Sequence, residues 1–563
     1  MPVPAVAATA SEGRRPGRGS RVPGCDNQTP MSEPSLYERV LEQIAAGTVE
    51  LPAPPQPRPS AGVVPWRRRA HGEVEVYWIR RARTMAFMGG WHAFPGGGVA
   101  KRDRDLSIGG APRGAEEAAP EAALPECVLA GVDELGPILV PGLVVAALRE
   151  LFEEVGVLPA DGEPSGDVEA ARRAVAAGEV GFEEAVRGLG LRISASRLVY
   201  AGRWLTPPLG PVRFDNRFFL LEWPAGEALQ PAADGREAEE GEWIRPAEGV
   251  ARWERGEVIA APPILHILRV LGEEGPEAGL GRLREPAEAN LGPHRIVEFR
   301  PGVLLFPQPT PTLPPAAFTN AYLLGTGDAV LVDPGSPDPQ EADRLAAALA
   351  AAPDRLGRRA TAIWLTHHHP DHVGGAARLR ERLGVPVLAH AETARLLAGH
   401  VPVDGELAEG DRHDLGAEGA PFPVRVLHIP GHAPGHLAFL DETLGSLLCG
   451  DLVSGISMIV VDPPLGDMDA YLASLARVRE LAPRTLFPGH GPTLADPEAT
   501  LDGTLDHRRW REERVLEAWR SGLREPADML ATVYDDTPRI AWPLAERQAL
   551  AHLERLRRAG RLG

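Results

Sequence analysis

Thr366-His367-His368-His369-Pro370-Asp371-His372-Val373-Gly374-Gly375 sets four histidines and one aspartate within six consecutive positions. They fit the order His-x-His-x-Asp-His, which neither a packed core nor a solvated surface calls for. The apolar run Ala362-Ile363-Trp364-Leu365 in front of it reads as a strand, and a helical stretch follows the Gly-Gly pair. On an extended backbone, alternate side chains share a side. His367 and His369 therefore point together, and His368 points away. Past Pro370 the chain turns, so Asp371 and His372 can aim at a second point close by. Imidazole nitrogens and carboxylate oxygens in such a set suit zinc.

Further candidate ligands follow downstream. His432 sits in the turn Pro430-Gly431-His432-Ala433-Pro434-Gly435-His436, Asp451 ends the apolar run Leu447-Leu448-Cys449-Gly450-Asp451, and His490 closes Phe487-Pro488-Gly489-His490-Gly491. Each lies where an apolar strand runs out, which is how a sheet gathers side chains at one edge. Together with Val330-Leu331-Val332-Asp333-Pro334-Gly335, these motifs make the chain from roughly residue 296 to residue 500 resemble the metallo-β-lactamase superfamily.

The resemblance implies one zinc on His367, His369 and His432, a second on Asp371, His372 and His490, with Asp451 bridging, and gives Asp371 a catalytic part. Such a pair of cations ionises water near neutral pH and polarises the oxygen that gains charge. Asp333 is implied to orient a ligand histidine rather than to bind metal. The same donors accommodate iron. His436 is expected to be structural, and His368, His390 and His428 to be packing or surface residues.

The first half carries a different pattern. Wound as a helix, Leu148-Arg149-Glu150-Leu151-Phe152-Glu153-Glu154-Val155-Gly156-Val157 puts Leu148, Leu151, Phe152 and Val155 on one stripe and Glu150, Glu153 and Glu154 on another. Crowded carboxylates repel unless a hard cation gathers them, which points to Mg²⁺ or Mn²⁺. A solvated acidic face is the plain alternative. Gly156 can close the helix in a left-handed cap. The run from Arg149 to Val157 resembles the second half of the Nudix box, and Ala93-Phe94-Pro95-Gly96-Gly97 resembles its glycine opening, after a strand at Val74 to Ile79. A long Ala-, Pro- and Glu-rich stretch separates the two, and Asp103 stands where a glutamate is usual. This is similar to the long-insert, coenzyme A diphosphatase-like Nudix subfamily, as are the stretches from Phe87 to Gly97 and from Arg213 to Phe219. The resemblance implies metal on Glu150, Glu153 and Glu154, with Arg149 orienting them by ion pairing. It also implies cleavage of a diphosphate.

Composition sets outer limits. A chain of 563 residues should hold more than one domain. A formal charge of −19 argues against whole-molecule affinity for nucleic acid or an anionic membrane. Cys25, Cys127 and Cys449 form neither a CxxC pair nor a disulfide framework, which suits a reducing compartment. With no signal-peptide core and no membrane-length apolar window, a soluble cytoplasmic protein is expected.

The expected layout is α+β. It comprises a disordered extension over 1–60, apart from a short helix at Leu36 to Leu41, and a Nudix-like mixed-sheet domain over 61–271. A linker over 272–295, an αββα metallo-β-lactamase sandwich over 296–500 and a helical, winged-helix-like tail over 501–563 complete it. The tail resembles that of a superfamily branch containing an endoribonuclease, so single-stranded RNA is one expected partner. Its interleaved Arg and Glu also suit a packing or dimerising cap. The functional expectation is a two-module hydrolase: ester, thioester or phosphodiester cleavage at two zinc ions, and Mg²⁺-dependent diphosphate cleavage of a small molecule. The alternative is an RNA-processing enzyme with a ligand-sensing Nudix domain. Turnover of coenzyme A derivatives would unite the halves.

Overall fold

The computed structural model describes residues 56–85, 88–105, 139–207, 212–223, 237–285, 297–313 and 315–562. The extension to residue 55, with its expected helix at Leu36 to Leu41, and most of the insert after Gly97 lie outside the described residues, as do Cys25, Cys127 and Phe87.

The first half is built on β1 (Arg58–Arg68), β2 (Val74–Arg81), β3 (His92–Ala93) and β4 (Gly96–Gly98), a two-strand ribbon of β5 (Ala160–Asp161) and β6 (Arg192–Ile193), then β7 (Leu198–Leu205), β8 (Phe214–Glu222) and β9 (Ala238–Ile244). The sheet runs β3-β2-β1-β8-β7, with β4 against β1 and β9 against β2. It is mixed: β1 and β8 are parallel, and the other pairs are antiparallel. Strand alternation divides the side chains between two faces. Ala61, Val63, Tyr77, Ile79, Phe219 and Leu221 pack under the helix Leu139–Val155. Val64, Trp66, Val76, Trp78, Phe218 and Leu220 pack against the helix Pro262–Glu273 on the other face.

The second half stacks two sheets. The first runs in chain order through β10 (Val297–Arg300), β11 (Val303–Pro309), β12 (Phe318–Leu324), β13 (Asp328–Val332), β14 (Arg359–Trp364), β15 (Val387–Ala389) and β16 (Gly405–Glu406). The second runs through β17 (Arg412–Asp414), β18 (Pro423–His428), β19 (Leu437–Asp441), β20 (Ser446–Gly450) and β21 (Thr485–Pro488). Leu305, Tyr322, Val332 and Trp364 meet Val426, Phe439, Leu448 and Phe487 between them. The outer faces are covered by the helices Pro339–Leu356 and Ala376–Leu383 on one side, and by Met468–Leu481 and Pro497–Arg520 on the other. The order of layers is therefore helix, sheet, sheet, helix.

The expected linker is corrected over its first part. The helix Pro262–Glu273 runs through Gly272, and Gly275–Ala278 and Leu280–Arg284 follow as short helices. Pro276 starts the first at a position that needs no N–H. Leu283 is buried against the outer face of the mixed sheet. Gly, Pro and charge in this stretch mark helix starts and solvent faces, not a tether; residues 286–295 lie outside the described set.

The tail consists of the helices Pro497–Arg520, Pro526–Val533 and Trp542–Arg558. Several of its arginines are paired within the chain: Arg511 with Asp536, Arg514 with Asp535, Arg558 with Asp469, and Arg561 with Glu512 and Glu513. Among the described residues, no helix is long and apolar enough to cross a membrane.

Candidate metal centre and a second carboxylate cluster

Five strand ends deliver the centre. Asp333 follows β13, His367 to His372 follow β14, His432 follows β18, Asp451 follows β20 and His490 follows β21. Their side chains collect at one edge of the stacked sheets. His367, His369 and His432 form one group with donor atoms within 4.8 Å of one another, and Asp371, His372 and His490 form a second. Asp451 lies between them, 3.5 Å from both His372 and His432 and 3.6 Å from His490. All seven residues read as ligands from the sequence are buried and brought together.

The tautomers follow from the outer contacts. His432 Nδ1 donates to the Val460 carbonyl at 2.7 Å, and His490 Nδ1 to the Phe318 carbonyl at 3.0 Å. His372 Nδ1 donates to Asp333 Oδ2 at 2.8 Å. Thr366 Oγ1 gives its single proton to that same oxygen at 2.6 Å, so it accepts from His367 Nδ1 at 2.9 Å. Each of these four rings therefore turns a bare Nε2 inward, the form in which imidazole binds metal. Asp333 is the hub of this outer layer and holds the left-handed φ of 48°, a strained setting for a residue with a side chain.

A cation fits what remains. His367 Nε2 stands 3.3 Å from His432 Nε2, and His372 Nε2 stands 3.3 Å from His490 Nε2. The facing lone pairs of His367 and His432 repel, both rings being held below the usual histidine range by burial. Both oxygens of Asp371 and Oδ1 of Asp451 are buried without a hydrogen-bond partner, an expensive state for carboxylates unless positive charge is supplied. Burial, reinforced by neighbouring imidazoles, holds His367 and His369 well below the usual histidine range, so both are neutral. At His490 burial is outweighed by Asp451 and Asp371, and its pKa is pushed up to about 10. The carboxylates thus draw positive charge to this spot. The donor set, nitrogen with carboxylate oxygen, is that of a divalent zinc or iron centre.

The neighbouring histidines make other contacts. His436 accepts the Asp451 amide at 3.2 Å and so fixes the turn that presents that carboxylate. His368 is buried outside both groups. His390 and His428 stack on each other with ring centroids 4.3 Å apart.

In the first half the glycine segment wraps the helix Leu139–Val155. The Gly96 amide donates to Glu154 Oε2 at 2.9 Å. A Cβ on Gly97 would fall 2.3 Å from Glu150 Oε1, so only glycine allows this approach. Arg149 reaches Glu150 at 2.8 Å, Glu153 at 3.2 Å and Asp103 at 3.1 Å, and also donates to the Gly98 carbonyl. Asp103 thus anchors the arginine. The carboxylates that meet are Glu150, Glu154 and Glu237; Glu153 turns toward Arg149 instead. Glu237 was not among the residues picked from the sequence. It lies in the charged run Arg236-Glu237-Ala238-Glu239-Glu240, which carries no motif to mark it. Burial raises Glu150 to about 7, with Glu153 and Glu237 adding to the rise against Arg149. Burial and Glu150 raise Glu154 well above the carboxylate range, and its Oε1 has no partner.

Comparison with known proteins covers both ends of the second half. The sequence profile of the metallo-beta-lactamase superfamily matches residues 314–490, and that of the beta-lactamase associated winged helix domain matches residues 526–562. The Beta-lactamase-like protein 2 homolog of Drosophila melanogaster is 32% identical over 256 residues, spanning 43% of this chain and 84% of that protein. The Atrochrysone carboxyl ACP thioesterase of Aspergillus fumigatus is 30% identical over 200 residues, spanning 35% of this chain and 44% of that protein. Among solved structures, a NUDIX hydrolase from Alicyclobacillus acidocaldarius is 27% identical with a TM-score of 0.35, covering 43% of this chain and 100% of its own.

Proposed function

Because the chain belongs to the metallo-β-lactamase superfamily and is a hydrolase of that fold, we propose that its second half hydrolyses an acyl thioester or related ester at a dinuclear zinc centre. The observation that carries this reading is the convergence of His367, His369, His372, His432 and His490 with the unpartnered carboxylates of Asp371 and Asp451. Bound there, divalent cations supply Lewis acidity toward a carbonyl oxygen and acidify water. The chain's own groups do the rest. Val460, Phe318 and Asp333 hold three imidazoles in the tautomer that leaves Nε2 free. Asp371, buried and unpartnered, is the group able to take a proton from the attacking water. The thioester preference is supported by the relative named as an ACP thioesterase.

The tail favours a packing role over an RNA-binding one. Arg511, Arg514, Arg558 and Arg561 are matched by acids of the same chain, which takes these four guanidinium groups away from phosphates.

The first half is read as a Nudix-type domain that uses Mg²⁺ or Mn²⁺ to cleave a diphosphate. Its support is the glycine segment wrapped on Glu150 and Glu154, with Arg149 holding the helix carboxylates in place. Beside them lies a cavity of about 380 Å³, lined by Trp91, Phe94, Trp204, Phe218, Glu150 and Glu237. It would take an apolar or planar arm of the substrate. Coenzyme A derivatives would serve both halves, thioester in one and diphosphate in the other.

The test is metal analysis of the purified protein with a panel of acyl thioesters, single-stranded RNA, coenzyme A and NADH. Thioester cleavage with two equivalents of zinc is expected. Cleavage of RNA and of no thioester would overturn the first reading, and inertness toward every diphosphate would leave the first half a ligand sensor.

A further inference from the structure

A second cavity, of about 670 Å³, lies on the seam between the mixed sheet and the two-sheet half. Its volume is in the range of small-molecule sites. The first half contributes Arg80, His92 and Val258 to the wall, and the second contributes Arg300, Arg484 and Asp496.

Arg300, the last residue of β10, is only 5% exposed. Its Nε donates to Thr485 Oγ1 at 3.0 Å and its Nη1 to the Val258 carbonyl at 2.7 Å. Both acceptors are neutral. Among the described residues no carboxylate comes within ion-pair distance of this guanidinium, or of the exposed Arg484 beside it. Buried cations are ordinarily matched, because desolvating an unpaired charge is costly. Burial, and then the charge of Arg484, push the pKa of Arg300 down to about 10, against a smaller opposing pull from the buried carboxylate of Asp441.

The acids on the wall do not supply the missing charge. Glu257 is held on both oxygens by Arg255. Asp496 caps the helix Pro497–Arg520 through Ala499 and faces Arg83 at 3.4 Å. Glu498 pairs with Arg479, and Glu480 is exposed to solvent. On the opposite wall, His92 Nδ1 and Arg80 Nε are buried with no acceptor, although the Nη2 of Arg80 is paired with Glu239 and Glu240. The cavity therefore presents two guanidinium groups without a direct ion pair among the described residues, Asp441 and Glu257 acting on them only from farther off, together with further unpartnered nitrogens.

We propose that this seam cavity binds a phosphate group, held by Arg300 and Arg484, either as free phosphate or as the terminal group of a small ester. Paired guanidinium forks match a doubly charged tetrahedral anion, and the volume leaves room for an organic arm. His92 also lines the aromatic cavity near Glu150. An anion on the seam would thus touch a wall shared with the first half's cleft and tie the two halves together.

The experiment uses the full-length, metal-loaded protein. Crystals soaked in sodium tungstate are expected to show anomalous density between Arg300 and Arg484, absent in Arg484→Gln. Calorimetric titrations with inorganic phosphate and with AMP should show binding weakened about ten-fold by Arg484→Gln and by Arg300→Gln, the usual scale for losing a charge-assisted contact. Tighter binding of AMP identifies an ester as the occupant; equal binding identifies free phosphate. Arg484 is exposed, so its variant decides the matter should Arg300→Gln not fold. Tungstate found only at the histidine cluster, or affinities unchanged in Arg484→Gln, would overturn the proposal.

Discussion

Gln548 and His432 hang on neighbouring carbonyls of one loop: Gln548 Nε2 donates to Val461 at 3.0 Å, and His432 Nδ1 donates to Val460 at 2.7 Å. The tail grips the rest of that loop as well. Arg508 donates to Gln548 Oε1 at 2.8 Å and to the Ile459 carbonyl, and Arg547 reaches Asp462 and the Pro463 carbonyl. The last helix therefore acts on a candidate metal ligand through two successive peptide units of one loop. Gln548→Leu should loosen this loop and weaken zinc binding about ten-fold, the lower end of what loss of such outer contacts costs. Competition with a chromophoric chelator measures it. An unchanged affinity in a protein that melts like wild type would mean that the tail only packs.

Asp371 is the second point of attack. Its carboxylate is buried with both oxygens unpartnered, so Asp371→Ala removes a charge and opens little space. Zinc content should fall by about one equivalent, and ester or thioester turnover should drop by at least about a thousand-fold, as expected when ligand and proton acceptor are lost together. Mn²⁺ binding by the carboxylate cluster of the first half, and the diphosphate cleavage proposed for it, should be unchanged. Loss of both activities would show that the halves do not work independently.

The gathering of the candidate metal ligands was legible in the sequence because their motifs follow the ends of apolar strands, and a stacked pair of sheets has one edge at which such ends meet. The rest was hidden for identifiable reasons. Gln548 acts across 87 positions on a loop with no motif of its own. Glu237 reaches the helix carboxylates from a charged run that resembles any solvated edge. The stretch from Gly272 to Glu285 has linker composition, yet Leu283 is buried on the mixed sheet and helices form around it. Composition reports solvent exposure more faithfully than it reports rigidity.

The grouping of Glu150 and Glu154 with Glu237 separates two roles that the sequence merges. Glu153 bonds Arg149 at 3.2 Å, whereas Glu154 approaches Glu150 and Glu237. Glu154→Gln and Glu237→Gln should each weaken Mn²⁺ binding by about ten-fold, on the scale of one lost charged ligand contact. Glu153→Gln should alter it far less. Electron paramagnetic resonance of bound Mn²⁺ reads this directly, without any substrate. Equal losses in all three variants would restore the arrangement with Glu150, Glu153 and Glu154 as joint ligands.

Acid should loosen the last helix from the helix Pro497–Arg520 through Glu512. Burial raises its pKa, but His552 at 3.7 Å and the hydrogen-bonded Arg555 outweigh burial and bring it to about 2, against an ordinary value of 4.5. Arg561 adds a contact at 2.8 Å. The sign is that of a carboxylate depressed by folding: the folded state binds fewer protons than the unfolded one between these two values. The stabilisation is present in full above about pH 4.5 and drains away as pH falls toward about 2. Glu512→Gln cannot titrate, so the gap in melting temperature between wild type and variant should narrow steadily across that window. Scanning calorimetry from neutral pH downward tests it. A gap that stays constant through the acid range would assign the stability of this corner to packing of Leu553 and Leu556 in the tail core rather than to the charge on Glu512.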